Sequence, residues 1–272
     1  MYLTPKLLIE YAQKCREDGQ SEETIKVKLR NLRTFFNFCG GRKITSKLLS
    51  LWREYIAEKY VKPHTRNNLV SKTNVFLDFF GLPDMKMKYF EIDRHILHTK
   101  LDKNVTLDEL KAMLEYTEKK GKVKMNLLLR VLAITGIRSG EIQHITVEAV
   151  DAGYAEFIHH KKNRKVLLPE NLRKRLKDYA DAQDITFGPI FISRNGNPIH
   201  QRGIGTELKT IAEKVGIPKN KINPTAFRIL FANTYYEKYG DLSGLTDLLG
   251  VKDMNMSVLY IKETEYTNND DA

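Results

Sequence analysis

The sequence predicts a mainly α-helical protein with one small β-hairpin, an α+β chain in two domains. Three observations lead there. Apolar residues recur every three to four positions through residues 3–83 and again from residue 106 to about 150, the spacing of a buried helical stripe. Gly81-Leu82-Pro83-Asp84 interrupts that pattern, and residues 84–104 carry no strong periodicity. Between residues 155 and 168 the pattern changes to two short strand-like runs around a basic turn. The expected layout is a helical domain over 1–83, a linker over 84–104 and a mixed domain over 105–272.

The bulk numbers fit two soluble domains. The chain has 272 residues, 42% hydrophobic and 29% charged, with a net charge of +11. Residues 1–100 hold 19 Lys and Arg against 11 Asp and Glu, a net of +8 that leaves +3 for the rest. A polyanion is the natural partner of such a surface, although a basic balance alone also suits an ordinary soluble protein. Two cysteines, Cys15 and Cys39, are too few for a disulfide framework and fit a reducing cytoplasm. The apolar run 125–137 is broken by Arg130 and too short to span a bilayer.

In the first domain Leu7, Leu8, Tyr11 and Cys15 mark one helix. Ser21 is the expected N-cap of a second, reaching about residue 38. Ile25, Leu29, Leu32, Phe35 and Phe36 form its apolar stripe, and Lys26, Lys28, Arg30 and Arg33 lie off it. A third helix covers 46–60, after the basic corner Gly40-Gly41-Arg42-Lys43, and a fourth runs from about 63 to 80. Lys26, Arg30, Arg33, Arg42 and Lys43 are candidate DNA contacts. A plain helical bundle with solvated charges explains them equally well.

The second domain opens at Thr106, which with Glu109 makes a capping box for a helix through residue 119. The next helix, 123–135, is apolar nearly all round and belongs at a domain centre. The turn Thr135-Gly136-Ile137-Arg138-Ser139-Gly140-Glu141 follows. An arginine where two buried helices meet needs an anion, either Glu141 or a ligand phosphate. The hairpin is expected as strands 155–160 and 165–168 around a loop of Lys161, Lys162, Asn163 and Arg164. Glu170 is the one acid in the basic run 161–177, which marks the loop as a candidate DNA contact. Residues 189–192 read as a further short strand and 202–215 as a helix.

Residues 223–260 read as three helices. Asn223 caps the first, Pro224 suits its first position, and Gly240 and Gly250 end successive helices. Thr225 and Arg228 share a face away from the apolar stripe. Arg228 and Tyr260 meet only if the three helices pack around one cleft. No phosphate-binding glycine loop, nucleotide fingerprint or zinc-type spacing is present, so no cofactor, nucleotide or metal is expected. His159 and His160 are adjacent on a strand and point to opposite faces, which argues against a metal pair.

TGIRSGE, a hairpin lysine, the arginine of NPTAFR, LLG and a tyrosine nine residues past Val251 follow one another in an order that resembles the tyrosine site-specific recombinases, the phage-integrase family. The resemblance covers nearly the whole chain. It implies a helical core-binding domain and a mixed catalytic domain. It also implies cleavage and rejoining of double-stranded DNA through a 3′-phosphotyrosine, with four copies on paired sites. By resemblance Arg138 and Arg228 are the catalytic arginines, steadied by Glu141. Lys161 is the hairpin lysine, with Lys162 as the alternative, and Tyr260 is the nucleophile. Thr225 stands where the family has a histidine, and Val251 where it has histidine or tryptophan. Two other readings belong to the same resemblance: a non-catalytic DNA-binding relative, and a topoisomerase-like enzyme that relaxes DNA without exchange.

Overall fold

The structure is a computed structural model that describes residues 1–91, 105–159 and 162–261. Most of the expected linker, Lys161, His160 and residues 262–272 lie outside the described residues, as do the side chains of His159 and Lys162. The chain divides into two compact units, Met1–Ile96 and Leu97–Ala272.

The first unit holds four helices: α1 (Pro5–Glu17), α2 (Glu22–Cys39), α3 (Ser46–Lys59) and α4 (Pro63–Phe79). Each start has a local cause. Thr4, Ser21 and Thr45 accept the backbone N–H three residues on, and Pro63 fits the first position of α4. Trp52 sits at the centre, fully buried, its ring 5.3 Å from that of Phe35 and its indole N–H donating to Thr73 at 3.2 Å. That bond lets a large aromatic be buried without an orphaned donor.

After a short 3-10 turn, Pro83–Met85, the chain does not leave this unit as a linker starting at 84 would. Asn74 exchanges two hydrogen bonds with the main chain of Met87, both at 2.8 Å. Asn67 does the same with Phe90, at 2.8 and 2.7 Å. The amide side chains of α4 treat this segment as a neighbouring strand would.

In the second unit the helices are α5 (Leu107–Lys119), α6 (Val123–Thr135), α7 (Val147–Ala152), α8 (Glu170–Ala182), α9 (Gln201–Lys214), α10 (Pro224–Tyr239), α11 (Leu242–Leu249) and α12 (Met254–Val258). The capping box of α5 forms: Thr106 accepts from the Glu109 N–H at 3.2 Å, and Glu109 from the Thr106 N–H at 2.9 Å. Leu128, Leu129, Val131 and Leu132 of α6 are wholly buried, and α5, α8 and α10 pack around that helix. Burial of each such side chain contributes about 1.5–3 kcal/mol.

Strands β1 (Tyr154–His159) and β2 (Lys162–Leu167) pair antiparallel, with Tyr154 opposite Leu167 and His159 opposite Lys162. The second strand therefore begins three residues earlier than expected and takes in Asn163 and Arg164. Residues 189–192 form no named strand among the described residues. Isolated bridges Thr146–Pro189 and Ile192–Pro198 hold them instead.

Candidate active site

Arg138 stands where α6 stops. Gly136 ends that helix in the left-handed region, φ 58°, close beneath α10. A Cβ at Gly136 would lie 2.5 Å from the Phe231 ring, so both the conformation and the approach require glycine. The next residues form a 3-10 turn, Ser139–His144, rather than an α-helix. Glu141 in that turn accepts from the Arg138 backbone N–H and from Arg138 Nη1, both at 2.9 Å. Glu141 is only 4% exposed. A buried carboxylate needs such charge-assisted partners.

Arg228 lies one turn into α10. Asn223 caps that helix, accepting from the Ala226 N–H at 3.1 Å, and Pro224 sets its first turn. The arginine is 2% exposed. Its Nη1 donates to the Gly136 carbonyl and its Nη2 to the Leu249 carbonyl, both at 2.6 Å. Burial pushes its pKa down and the Arg138 charge adds to that, while Tyr260 and Glu141 pull the other way.

Tyr260 follows α12 directly. The guanidinium carbon of Arg228 lies 5.0 Å from the centre of its ring, a cation–π contact. Its backbone is tied back by Asn233, which donates to the Tyr260 carbonyl at 3.2 Å. One turn earlier the hydroxyls of Thr246 and Ser257 meet at 2.8 Å and join α11 to α12. Arg138, Glu141, Arg228 and Tyr260, spread over more than a hundred residues, thus share one locality.

A third arginine enters the same locality. The expectation of Arg164 as a DNA contact on an exposed loop is corrected here. It sits within β2, opposite Phe157, and its side chain is 4% exposed. Its Nε lies 3.4 Å from Glu141 Oε2, and its Nη1 donates to the Leu249 carbonyl. Burial pushes its pKa down to about 10; Glu141 resists the fall, and Arg228 and Arg138 add to it. That value is far above neutrality, so the group is charged. The signal was present in the sequence as period-two alternation: Arg164, Val166 and Leu168 are buried, and Asn163, Lys165 and Leu167 are exposed.

Thr225 is exposed in the first turn of α10. Val251 is half-buried against Ala232, Leu245 and Leu249, an apolar setting. Lys161 lies outside the described residues, and of Lys162 only the backbone pairing is described. In the first unit Lys26, Arg30 and Arg33 are exposed and share one face of α2 by their spacing. Lys43 is exposed beside them in sequence. The Arg42 guanidinium is occupied: it donates to the Cys39 carbonyl at 2.9 Å and to that of Phe38, closing the end of α2. Among the described residues no cluster of His, Cys, Asp and Glu has metal-holding geometry.

The profile of the phage integrase family matches residues 103–266. The chain belongs to that family. Curated relatives are named tyrosine recombinases. XerA of Pyrococcus furiosus is 22% identical over 269 residues, covering 96% of this chain and 91% of the relative. A XerC of Lactobacillus delbrueckii is 24% identical over 148 residues, and there the match spans 51% of this chain and half of the relative. Among solved structures, a lambda integrase dimer bound to a core site superposes with a TM-score of 0.75 at 14% identity, covering 100% of this chain and 99% of that one. At that identity the likeness concerns the fold, and the family fold is the helix-rich one described here. No helix among the described residues is long and apolar enough to cross a membrane.

Proposed function

We propose that this phage integrase family member is a site-specific recombinase that cuts and rejoins double-stranded DNA through Tyr260. One observation carries the reading. Two guanidinium groups, Arg138 and Arg164, pair with the carboxylate of Glu141, and a third, Arg228, shares the Leu249 carbonyl with Arg164 and carries the Tyr260 ring against it. The excess positive charge in a water-poor site calls for an anion. The Arg228 Nε is buried without a hydrogen-bond partner, and a phosphodiester supplies the acceptor it lacks.

The chemistry then follows from residue types. Arg138 and Arg228 hold the non-bridging oxygens, where charge grows as phosphorus becomes five-coordinate. The Tyr260 oxygen attacks phosphorus, its phenolic proton passes to solvent water, and a P–O bond to tyrosine forms as the bond to the 5′-oxygen breaks. That oxygen takes a proton, a role that the family resemblance gives to Lys161. Attack by a 5′-hydroxyl on the phosphotyrosine reverses the steps, so rejoining needs no nucleotide. Thr225 offers a hydroxyl donor where a histidine is usual, but it cannot titrate near neutrality. Val251, packed in an apolar cluster, contributes shape only.

The exposed Lys26, Arg30, Arg33 and Lys43 are read as contacts to the DNA backbone, and Lys162 as a further one. Exchange between two sites implies four copies on paired DNA, acting in the cytoplasm.

A randomised duplex library selected for binding supplies the test substrate, nicked at successive positions to trap covalent product. The protein is expected to form a DNA adduct that survives denaturation. Tyr260→Phe is expected to form none while binding the same DNA. An adduct from the variant would move the nucleophile elsewhere.

A further inference from the structure

We infer that Arg164 is a positioning residue of this site, and that the Leu249–Gly250 turn is the hub through which it acts. The inference deepens the recombinase reading and rests on it.

All three arginines converge on two successive carbonyls. Arg228 Nη2 donates to the Leu249 oxygen at 2.6 Å, and Arg164 Nη1 donates to the same oxygen. Arg138 Nη2 reaches the Gly250 oxygen at 3.4 Å. A carbonyl has two lone pairs, and the Leu249 oxygen gives one to each guanidinium. The turn is therefore a shared rest for the two arginines read as catalytic, and Arg164 is the member that comes from the hairpin.

Gly250 makes room for this. It ends α11 in the left-handed region at φ 56°. A Cβ there would clash with Arg164 Nη1 and would lie 3.1 Å from both Cδ and Cζ. Glycine is thus needed twice at one position, for the backbone angle and for the seat of the guanidinium. Glu141 joins the same group, facing Arg138 at 2.9 Å and Arg164 at 3.4 Å. One carboxylate and one turn hold three cations at fixed separations.

Fixed separation matters because displacement of a phosphate-binding donor by a fraction of an ångström weakens it at the transition state. Loss of Arg164 frees the Leu249 oxygen to move, and both remaining arginines lose their reference. The effect falls on the chemical step. DNA affinity depends on many phosphate contacts elsewhere and changes little.

Arg164→Met keeps the side-chain length and removes the fork; Arg164→Lys keeps the charge. At saturating nicked DNA, Arg164→Met is expected to form adduct about 100-fold more slowly than the unmodified protein, with Kd within about threefold. Arg164→Lys is expected to recover part of that loss. An Arg164→Met rate equal to that of the unmodified protein, or a loss carried wholly by Kd, overturns the inference while the recombinase reading stands. Amide hydrogen exchange provides a measurement without DNA. Arg164→Met is expected to speed exchange at Gly250 and Val251 by about tenfold or more, with core amides of α6 unchanged. Unchanged exchange at the turn overturns the hub. Absence of adduct from the unmodified protein, with faster exchange in Arg164→Met, would remove the recombinase reading and keep the hub.

Discussion

The two units bury polar groups in opposite ways. In the first, Asn67 and Asn74 meet main-chain groups reciprocally, donor to acceptor and acceptor to donor, and nothing is owed to a ligand. Among the described residues its buried side-chain polar atoms without hydrogen-bond partners, Tyr11 Oη and Asn31 Nδ2, are neutral. In the second unit the unpartnered buried side-chain atoms among the described residues belong to cations, Arg164 and Arg228. A neutral orphan costs roughly 1–3 kcal/mol, and a charged one more. Closed networks serve the fold; the open, charged one is where chemistry is to be looked for.

Substitution at Arg228 tests that contrast most severely. Arg228→Met removes one of three like charges together with two hydrogen bonds to carbonyls. Relief of repulsion offsets the lost bonds, so stability in denaturant is expected to stay within about 1 kcal/mol. Adduct formation is expected to fall at least about 100-fold. A large loss of stability with little change in rate would make this cluster structural and break the comparison.

Asn74→Ala probes the closed side. It leaves the N–H and carbonyl of Met87 without partners in a buried place. A loss of about 2 kcal/mol in unfolding free energy is expected, with adduct formation at saturating DNA unchanged. A loss of rate without a loss of stability would show that the first unit takes part in the chemical step.

The smallest effect concerns a closed pair inside the second unit. Lys221 Nζ lies 2.5 Å from Glu109 Oε1. Partial burial raises the Glu109 pKa, but the bonds from Lys221 and Thr106 outweigh it and leave the value lowered. A carboxyl with a lowered folded pKa adds stability above its unfolded value near 4.5, and that stability is lost as pH falls through the folded value. Lys221→Met is expected to destabilise by less than about 1 kcal/mol at neutral pH, with the difference shrinking on acidification. A difference that is flat with pH would assign the loss to packing.

Much of this was legible in the sequence because its signals were local. Thr106 with Glu109, Ser21, Asn223 and Pro224 announce helix starts through chemistry within four residues. The order of TGIRSGE, NPTAFR and Tyr260 nominated groups that do converge. Arg164 was misjudged because its charge outweighed its register. Lysines on both sides made the stretch read as a loop, whereas the strand runs through it and turns every second residue inward. The segment after Asp84 was misjudged for a different reason. Its polar anchors, Asn67 and Asn74, are on another element and bind its main chain, and the apolar residues that pack it, Met85, Met87 and Phe90, are too irregularly spaced to show a period.

Those two asparagines also act as a ruler. They stand seven residues apart on a helix, about 10 Å along its axis. Met87 and Phe90, three residues apart, span about 10 Å when the chain is drawn out. The match fixes the count between them. An extra residue at position 88 or 89 must forfeit one clasp, while side chains there are free to vary because only main-chain atoms are gripped. Length, rather than identity, is what that short stretch has to conserve.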